Sequence, residues 1–140
     1  MRLSVLWDLI FQIRDNLMHD FSISQQIASK VIEEINRERA FKVIEIKIKI
    51  GELTHLNPEQ IDFWLKQFFH DTPAEDAKIL IEKTPPLIYC KGCGYQGTIK
   101  VRDDFFIYPF IPLNCPKCGL NKIEIKGGNE CLLEKIKIKR

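Results

Sequence analysis

The sequence lacks several features that would place it in a specialised class of protein. Its 140 residues carry a net charge of only +2, so a strongly basic surface for a polyanion is not expected. The N-terminal stretch, residues 1–17, is interrupted by Asp8 and Arg14 and is too polar to span a membrane. It also lacks an Ala-x-Ala-like cleavage site, which argues against a secretory signal. Low-complexity tracts are absent, and so are internal repeats apart from two CxxC motifs.

The composition is that of an ordinary folded protein. Hydrophobic residues make up 45% and charged residues 29%, which argues against a disordered or fibrous chain. This length suffices for one modest domain with a hydrophobic core that carries a small metal-stabilised appendage. The apolar positions of residues 1–17 are interpreted as one face of an amphipathic helix.

Periodicity predicts two helices and three strands. Apolar residues recur at helical spacing from Ser22, a candidate N-cap, to Arg39. A second helix is predicted from the cap Asn57 and the first-turn Pro58 to about Asp71. Alternation predicts strands at residues 42–51, 78–83 and 132–139, the second of which ends before Pro85 and Pro86. In the first strand, one side is expected to carry Ile44, Ile46, Ile48 and Ile50.

Four of the five cysteines form two CxxC motifs, Cys90 with Cys93 and Cys115 with Cys118. Four thiolates around Zn²⁺ leave no open coordination position, so the motifs predict a structural zinc site. Two disulfides or a rubredoxin-like iron site are the alternatives. The absence of a signal peptide favours metal and a reducing cytoplasm. Cys131 is interpreted as a small buried residue.

These elements predict an α+β fold, with a small three-stranded sheet covered by two helices and an inserted zinc-ribbon domain. Three segments are expected. Residues 1–17 are an N-terminal extension or a mis-assigned start, residues 18–86 plus 129–140 form the α/β domain, and residues 87–128 form the zinc ribbon.

Three motifs together resemble the HypA-type hydrogenase nickel-incorporation proteins over residues 18–140. They are Met18-His19-Asp20-Phe21-Ser22-Ile23, Gly51-Glu52-Leu53 and the two CxxC pairs. Chains of that family begin with Met-His-Glu, followed by a serine and a helix. The resemblance implies a nickel metallochaperone that is not an enzyme, with Ni²⁺ as transient cargo at His19. It also implies a HypB-type GTPase and the large subunit of a [NiFe]-hydrogenase as partners of a cytoplasmic monomer or homodimer, with no nucleic-acid or membrane partner.

The family's nickel site raises the question of where the chain starts. An imidazole, a terminal amine and nearby backbone nitrogens can enclose Ni²⁺ in a square plane. If translation starts at Met1, the amine of Met18 is locked in a peptide bond. Either Met18 is the true first residue, the favoured interpretation, or an extended chain binds nickel through His19 with other ligands. Asp20 replaces the usual Glu and is a further candidate ligand or contact.

Other residues are assigned no metal-binding role. His55 and His70 lack such a motif and are interpreted as structural. A nucleic-acid-binding zinc ribbon is the alternative function, because residues 135–140 are rich in lysine and residues 95–110 contain aromatic side chains. Packing under the hairpin is the more common role of such aromatics, and the lysine-rich tail also fits a solvated edge strand. A rubredoxin-like electron carrier is a third possibility.

Overall fold

The computed structural model describes residues 19–99 and 114–140, together with the backbone of two strands at residues 3–6 and 11–13. In chain order the elements are β1 (Leu3–Leu6), β2 (Phe11–Ile13), α1 (Asp20–Glu38), β3 (Lys42–Gly51), a 3-10 helix (Glu52–Thr54), α2 (Pro58–Phe68), β4 (Lys78–Thr84), β5 (Leu87–Cys90), β6 (Gln96–Thr98), β7 (Ile123–Gly127) and β8 (Cys131–Lys139). The α+β class is confirmed. Among these described elements, no helix is both long and apolar enough to cross a membrane.

The larger sheet has the strand order β1-β8-β3-β4, and β2 also pairs with β8. β3 is parallel to β4 and antiparallel to β8. The parallel pair is possible because α2 lies in the crossover between the two strands. β8 is hydrogen-bonded on both sides, so the lysine-rich tail is not an edge strand as the sequence suggested. The larger sheet therefore has two more strands than predicted.

Those two strands come from the stretch that was expected to be helical. Leu3 lies opposite Lys139 in β8, and Ile13 lies opposite Cys131. The amphipathic-helix prediction is therefore wrong for residues 3–6 and 11–13. A local helical pattern takes no account of the unpaired backbone groups along the second edge of β8, and strand pairing satisfies them.

The core lies between this sheet and the two helices. Its fully buried members include Ile23, Ile27 and Val31 from α1, Ile61 and Leu65 from α2, Ile46 and Ile48 from β3, and Leu133, Ile136 and Ile138 from β8. The predicted alternation of β3 fails at one position, since Val43 is buried and Ile44 is only half-buried. The register between β3 and β8 shifts between Val43 and Glu45, and such a bulge reverses the direction of the side chains before it.

The helix ends differ in part from those predicted. The N-cap of α1 is His19, not Ser22. The Ser22 hydroxyl instead donates to the His19 carbonyl oxygen at 3.2 Å. Asn57 is confirmed as the cap of α2, because its side-chain oxygen accepts a 2.9 Å hydrogen bond from the Glu59 amide. α2 ends at Phe68, three residues before the predicted end, and its C-cap is Phe69.

The second sheet, β6-β5-β7, carries the cysteine motifs. The chain leaves it through Gly127 and Gly128 and passes very close to the end of β3. The Leu53 amide donates to the Gly128 carbonyl oxygen at 2.9 Å. A Cβ atom on Gly51 would lie 2.1 Å from that same oxygen, so only glycine fits there. The smaller sheet is thus joined closely to the end of β3.

Candidate metal centre

The four cysteines of the CxxC motifs converge at one point. Their sulfur atoms all lie within 4.8 Å of one another. Cys90 Sγ is 3.6 Å from Cys118 Sγ, and Cys93 Sγ is 3.6 Å from Cys115 Sγ. A tetrahedron with metal–sulfur bonds of about 2.3 Å has edges of about 3.8 Å, so this arrangement fits a four-coordinate metal ion.

The same distances argue against disulfides. A disulfide has a sulfur–sulfur bond of about 2.0 Å, far shorter than the 3.6 Å contacts, and all four cysteines are free thiols. Each short contact also joins one cysteine from each motif. A tetrathiolate cluster that binds a metal ion is therefore the arrangement this fold favours.

Each motif is a tight turn that presents its sulfurs to one side. The Gly94 amide donates to the Cys90 carbonyl oxygen at 2.9 Å, and the Gly119 amide donates to that of Cys115 at 2.8 Å. Both glycines have positive φ, 81° at Gly94 and 75° at Gly119, which glycine adopts without steric cost. A residue with a Cβ would be strained at either position.

The local electrostatics favour a cation among the sulfurs. Burial raises the pKa of Cys115, but hydrogen bonds from the Cys118 and Lys117 amides and from neighbouring thiols outweigh it and lower that pKa to about 6. At Cys93 a hydrogen bond from the Tyr95 amide lowers the pKa, but burial and the adjacent thiols together outweigh it and raise that pKa to about 12. One thiol of this contacting pair ionises at the expense of the other. A divalent cation would relieve this competition by stabilising all four thiolates.

His19 lies at the start of α1 with an extended backbone, φ −108° and ψ 140°, and its side chain is exposed. Its carbonyl oxygen accepts the first helical hydrogen bond, from the Ile23 amide at 3.0 Å. Among the described residues, His19 belongs to no cluster of three or more His, Cys, Asp or Glu side chains that could hold a metal ion. Met18, the other predicted contributor, lies outside the described residues. The side chains of the described residues therefore do not by themselves build a metal site at His19.

Asp20 ties the starts of the two helices together. Its Oδ1 atom accepts a 2.9 Å hydrogen bond from the Asn57 amide, and Asn57 caps α2. The Asp20 carboxylate, in the residue after His19, therefore already has a partner in the N-cap residue of α2. Sequence reasoning missed this contact, since a hydrogen bond between residues that are 37 positions apart leaves no local signal.

An aromatic cluster joins the first turn of α1 to α2. The Phe21 ring packs edge-on against Trp64 with centroids 4.9 Å apart, and it lies 5.5 Å from the Phe68 ring. Phe63 extends the group, 5.1 Å from Trp64. Phe21 and Phe63 remain 46% and 49% exposed. We call Phe21, Phe63, Trp64 and Phe68 the aromatic cluster.

The remaining candidate residues have simpler environments. Cys131 is fully buried in the core, where burial raises its pKa to about 12. His55 and His70 are exposed. The His70 Nδ1 atom lies 3.2 Å from Glu75 and its Nε2 atom lies 3.5 Å from Asp71. This second group of ligand-type side chains was not predicted, because nothing in their spacing resembles a metal motif. The aromatic residues at 105–110 lie outside the described residues.

The fold and the four-thiol cluster define a small α+β metal-binding protein with a zinc-ribbon-like unit. A family described as hydrogenase/urease nickel incorporation, metallochaperone, HypA matches residues 18–138. The chain therefore belongs to the HypA family of nickel metallochaperones and is a maturation factor, not an enzyme. The resemblance expected from the sequence is confirmed, and the description adds urease to the nickel proteins that the family serves.

Individual relatives agree with this assignment. The chain is 36% identical over 123 residues to a hydrogenase maturation factor HypA from Methanothermobacter thermautotrophicus, covering 88% of this chain and 98% of that one. A HypA from Methanococcus aeolicus is 37% identical over 117 residues, covering 81% and 90%. The solution structure of the Ni metallochaperone HypA from Helicobacter pylori shares the fold with a TM-score of 0.57 and 22% identity, covering 88% of this chain and 100% of that one.

Proposed function

We propose that this chain binds Ni²⁺ at His19 for insertion into a [NiFe]-hydrogenase and holds a structural Zn²⁺ at Cys90, Cys93, Cys115 and Cys118. The observation that carries the nickel proposal is the exposed, extended His19 directly before α1. The backbone nitrogens of His19 and of its neighbours are only a few bonds from the imidazole, so a nitrogen that loses its proton can share a small chelate ring with it. Nitrogen ligands in such small chelate rings suit square-planar Ni²⁺.

The four-cysteine cluster supports zinc in a structural role. Its thiol set matches the tetrahedral sulfur coordination that zinc prefers, and it leaves no position for a reacting water. Bound zinc would cross-link the two motifs and stabilise the smaller sheet. Iron suits the same ligands, but an iron tetrathiolate is coloured, so a colourless protein with one zinc per chain would support this assignment.

A chain of contacts joins the two sites and supports coupling between them. Gly128, which directly follows β7 of the smaller sheet, accepts a hydrogen bond from Leu53 in the 3-10 helix after β3. The 3-10 helix then leads to Asn57, whose amide is bonded to Asp20. We therefore expect loss of zinc to change nickel affinity. Unchanged nickel binding by a folded Cys115→Ala variant would contradict this coupling.

The partners proposed for the transfer are a HypB-type GTPase and the large subunit of the hydrogenase, in the cytoplasm. A protein that exchanges nickel with His19 must approach the start of α1. The exposed rings of the aromatic cluster are Phe21, in the first turn of α1, and Phe63, on the adjoining α2. Exposed aromatic side chains are enriched at protein interfaces. Phe63→Ser should weaken partner binding without changing nickel affinity, since Phe63 lies on α2 and leaves the His19 backbone untouched.

Nickel titration of two chain versions tests the site and the start together. Versions beginning at Met1 and at Met18 are titrated, with His19→Ala as the test variant and exposed His55→Ala as the matched control. Binding only by the Met18 version, together with a native mass that matches that start, would support the terminal-amine chelate. Binding by both versions that His19→Ala removes would support a modified site. If neither version binds nickel, or if His55→Ala alone abolishes binding, the proposal fails.

The version that begins at Met18 also lacks β1 and β2. Both strands pair with β8, so their removal leaves one edge of β8 without these partners. The two versions should therefore be compared by unfolding before nickel binding is interpreted. If the shorter version is much less stable, a change in its nickel binding would reflect folding. If the two versions are equally stable, the change would reflect the ligand set.

The face of β3 that carries Lys47 and Lys49 does not support the nucleic-acid alternative. On β3, Lys47 and Lys49 are within 3.6 Å and 3.4 Å of Glu134. These opposite charges make this face mixed in sign, whereas nucleic-acid binding surfaces are strongly positive. A salt-dependent shift of DNA or RNA by the zinc-loaded protein would revive the alternative.

A further inference from the structure

β4 has a strand partner on one side only. It pairs with β3, and no other strand of the described segments lies on its outer side. An edge strand presents backbone donors and acceptors that another strand can bind. We propose that β4 is a self-association surface, on which a second copy of this chain pairs antiparallel and continues the sheet.

The sequence of β4 is self-complementary in one register. When two copies pair antiparallel about Leu80, Lys78 lies opposite Glu82 of the second copy, and Ile79 lies opposite Ile81. Twofold symmetry repeats each of these pairs, as expected for an isologous interface. Opposite charges and matched β-branched side chains are favourable cross-strand pairs.

The two faces of β4 suit this pairing. Ile79 and Ile81 are half-buried and pack against the core, so the pairing would cover their remaining exposed surface. On the other face Lys78 is exposed, and the Glu82 side chain is 56% exposed. Glu82 has a contact with Lys47 at 3.7 Å, which is longer than a hydrogen bond and leaves the carboxylate accessible to Lys78 of a second copy.

The same charges disfavour other registers. Charged residues on an edge strand normally prevent pairing. A shift by one residue would place Ile79 and Ile81 opposite residues from the other face of β4. A shift by two residues would place Lys78 opposite Leu80 and remove its pairing with Glu82. Because each copy contributes one strand of seven residues, the interface is small and the dimer should be weak and concentration-dependent.

Sedimentation velocity of the full zinc-loaded chain over a range of concentrations tests the proposal. Lys78→Glu places two glutamates opposite each other and should weaken dimerisation at least about tenfold. The double variant Lys78→Glu with Glu82→Lys restores the opposite charges and should restore the dimer. Lys126→Glu makes the same charge change on β7 and serves as the control.

A cross-link tests the register itself. In the proposed dimer Leu80 faces its own copy, so Leu80→Cys should form a disulfide-linked dimer with oxidised glutathione. Glu82→Cys is the control, since its two copies would lie about four residues apart along the strands. A monomer at millimolar concentration, a dimer that Lys78→Glu leaves unchanged, a charge swap that fails to restore it, or equal cross-linking by both cysteines would each overturn the proposal.

Discussion

Replacing Gly51 with alanine should markedly destabilise the protein, because the added methyl group meets backbone that cannot move independently. The new Cβ atom would lie 2.1 Å from the carbonyl oxygen of Gly128 and 2.3 Å from its carbonyl carbon. Relief of this overlap requires β3 and the Gly128 segment to separate. Two hydrogen bonds oppose this separation. The Leu53 amide donates to the Gly128 carbonyl oxygen at 2.9 Å, and the Gly51 amide donates to the Glu130 carbonyl oxygen at 2.9 Å.

The magnitude follows from these two contributions. Overpacking in a well-packed site costs about 1–3 kcal/mol. Each weakened backbone hydrogen bond adds about 0.5–1.5 kcal/mol. With two such bonds weakened, the free energy of unfolding should therefore fall by about 2–6 kcal/mol in Gly51→Ala. The nickel affinity should change as well if the proposed coupling runs through this contact.

Urea unfolding followed by far-UV circular dichroism measures the effect on zinc-loaded protein. Gly92→Ala is the matched control, because the nearest atom to its Cβ would be the flexible Leu120 side chain at 3.2 Å. It should cost less than about 1 kcal/mol. An unfolding midpoint for Gly51→Ala equal to that of the native chain, or a larger loss for Gly92→Ala, would refute the packing argument.

Three further predictions concern the core, the helix starts and the buried thiol. Ile48→Ala removes a fully buried side chain of β3 and should cost about 2–5 kcal/mol in urea unfolding, while no measurable loss would contradict its place in the core. Asp20→Ala removes the acceptor of the Asn57 amide and should cost about 1 kcal/mol, whereas Asp20→Asn keeps an acceptor oxygen and should retain most of that stability. Burial raises the pKa of Cys131 from 9 to about 12, so the neutral thiol favours the folded state below pH 9 and this contribution is lost as the pH rises towards 12. Cys131→Val should lessen the alkaline loss of stability measured by unfolding at increasing pH, and an unchanged alkaline profile would argue against this contribution.

The sequence by itself determined the features that depend on local pattern. The alternating isoleucines of β3, the Asn57-Pro58 start of α2 and the paired CxxC motifs each specify a conformation through neighbouring residues. The glycine after each motif also indicates a tight turn, because a position with positive φ favours glycine. The resemblance to a nickel-incorporation family was likewise present in short motifs.

Features that join distant segments were decided only by the tertiary structure. Residues 3–6 and 11–13 form strands because β8 offers them an edge, although their local pattern suggested a helix. The bulge after Val43 buries the Val43 side chain in the core and leaves Ile44 half-buried, which alternation alone did not predict. The Asp20 contact with Asn57 links residues far apart in the chain. Hydrogen bonds and close packing between distant segments depend on how the whole chain folds, so no short stretch of sequence contains them.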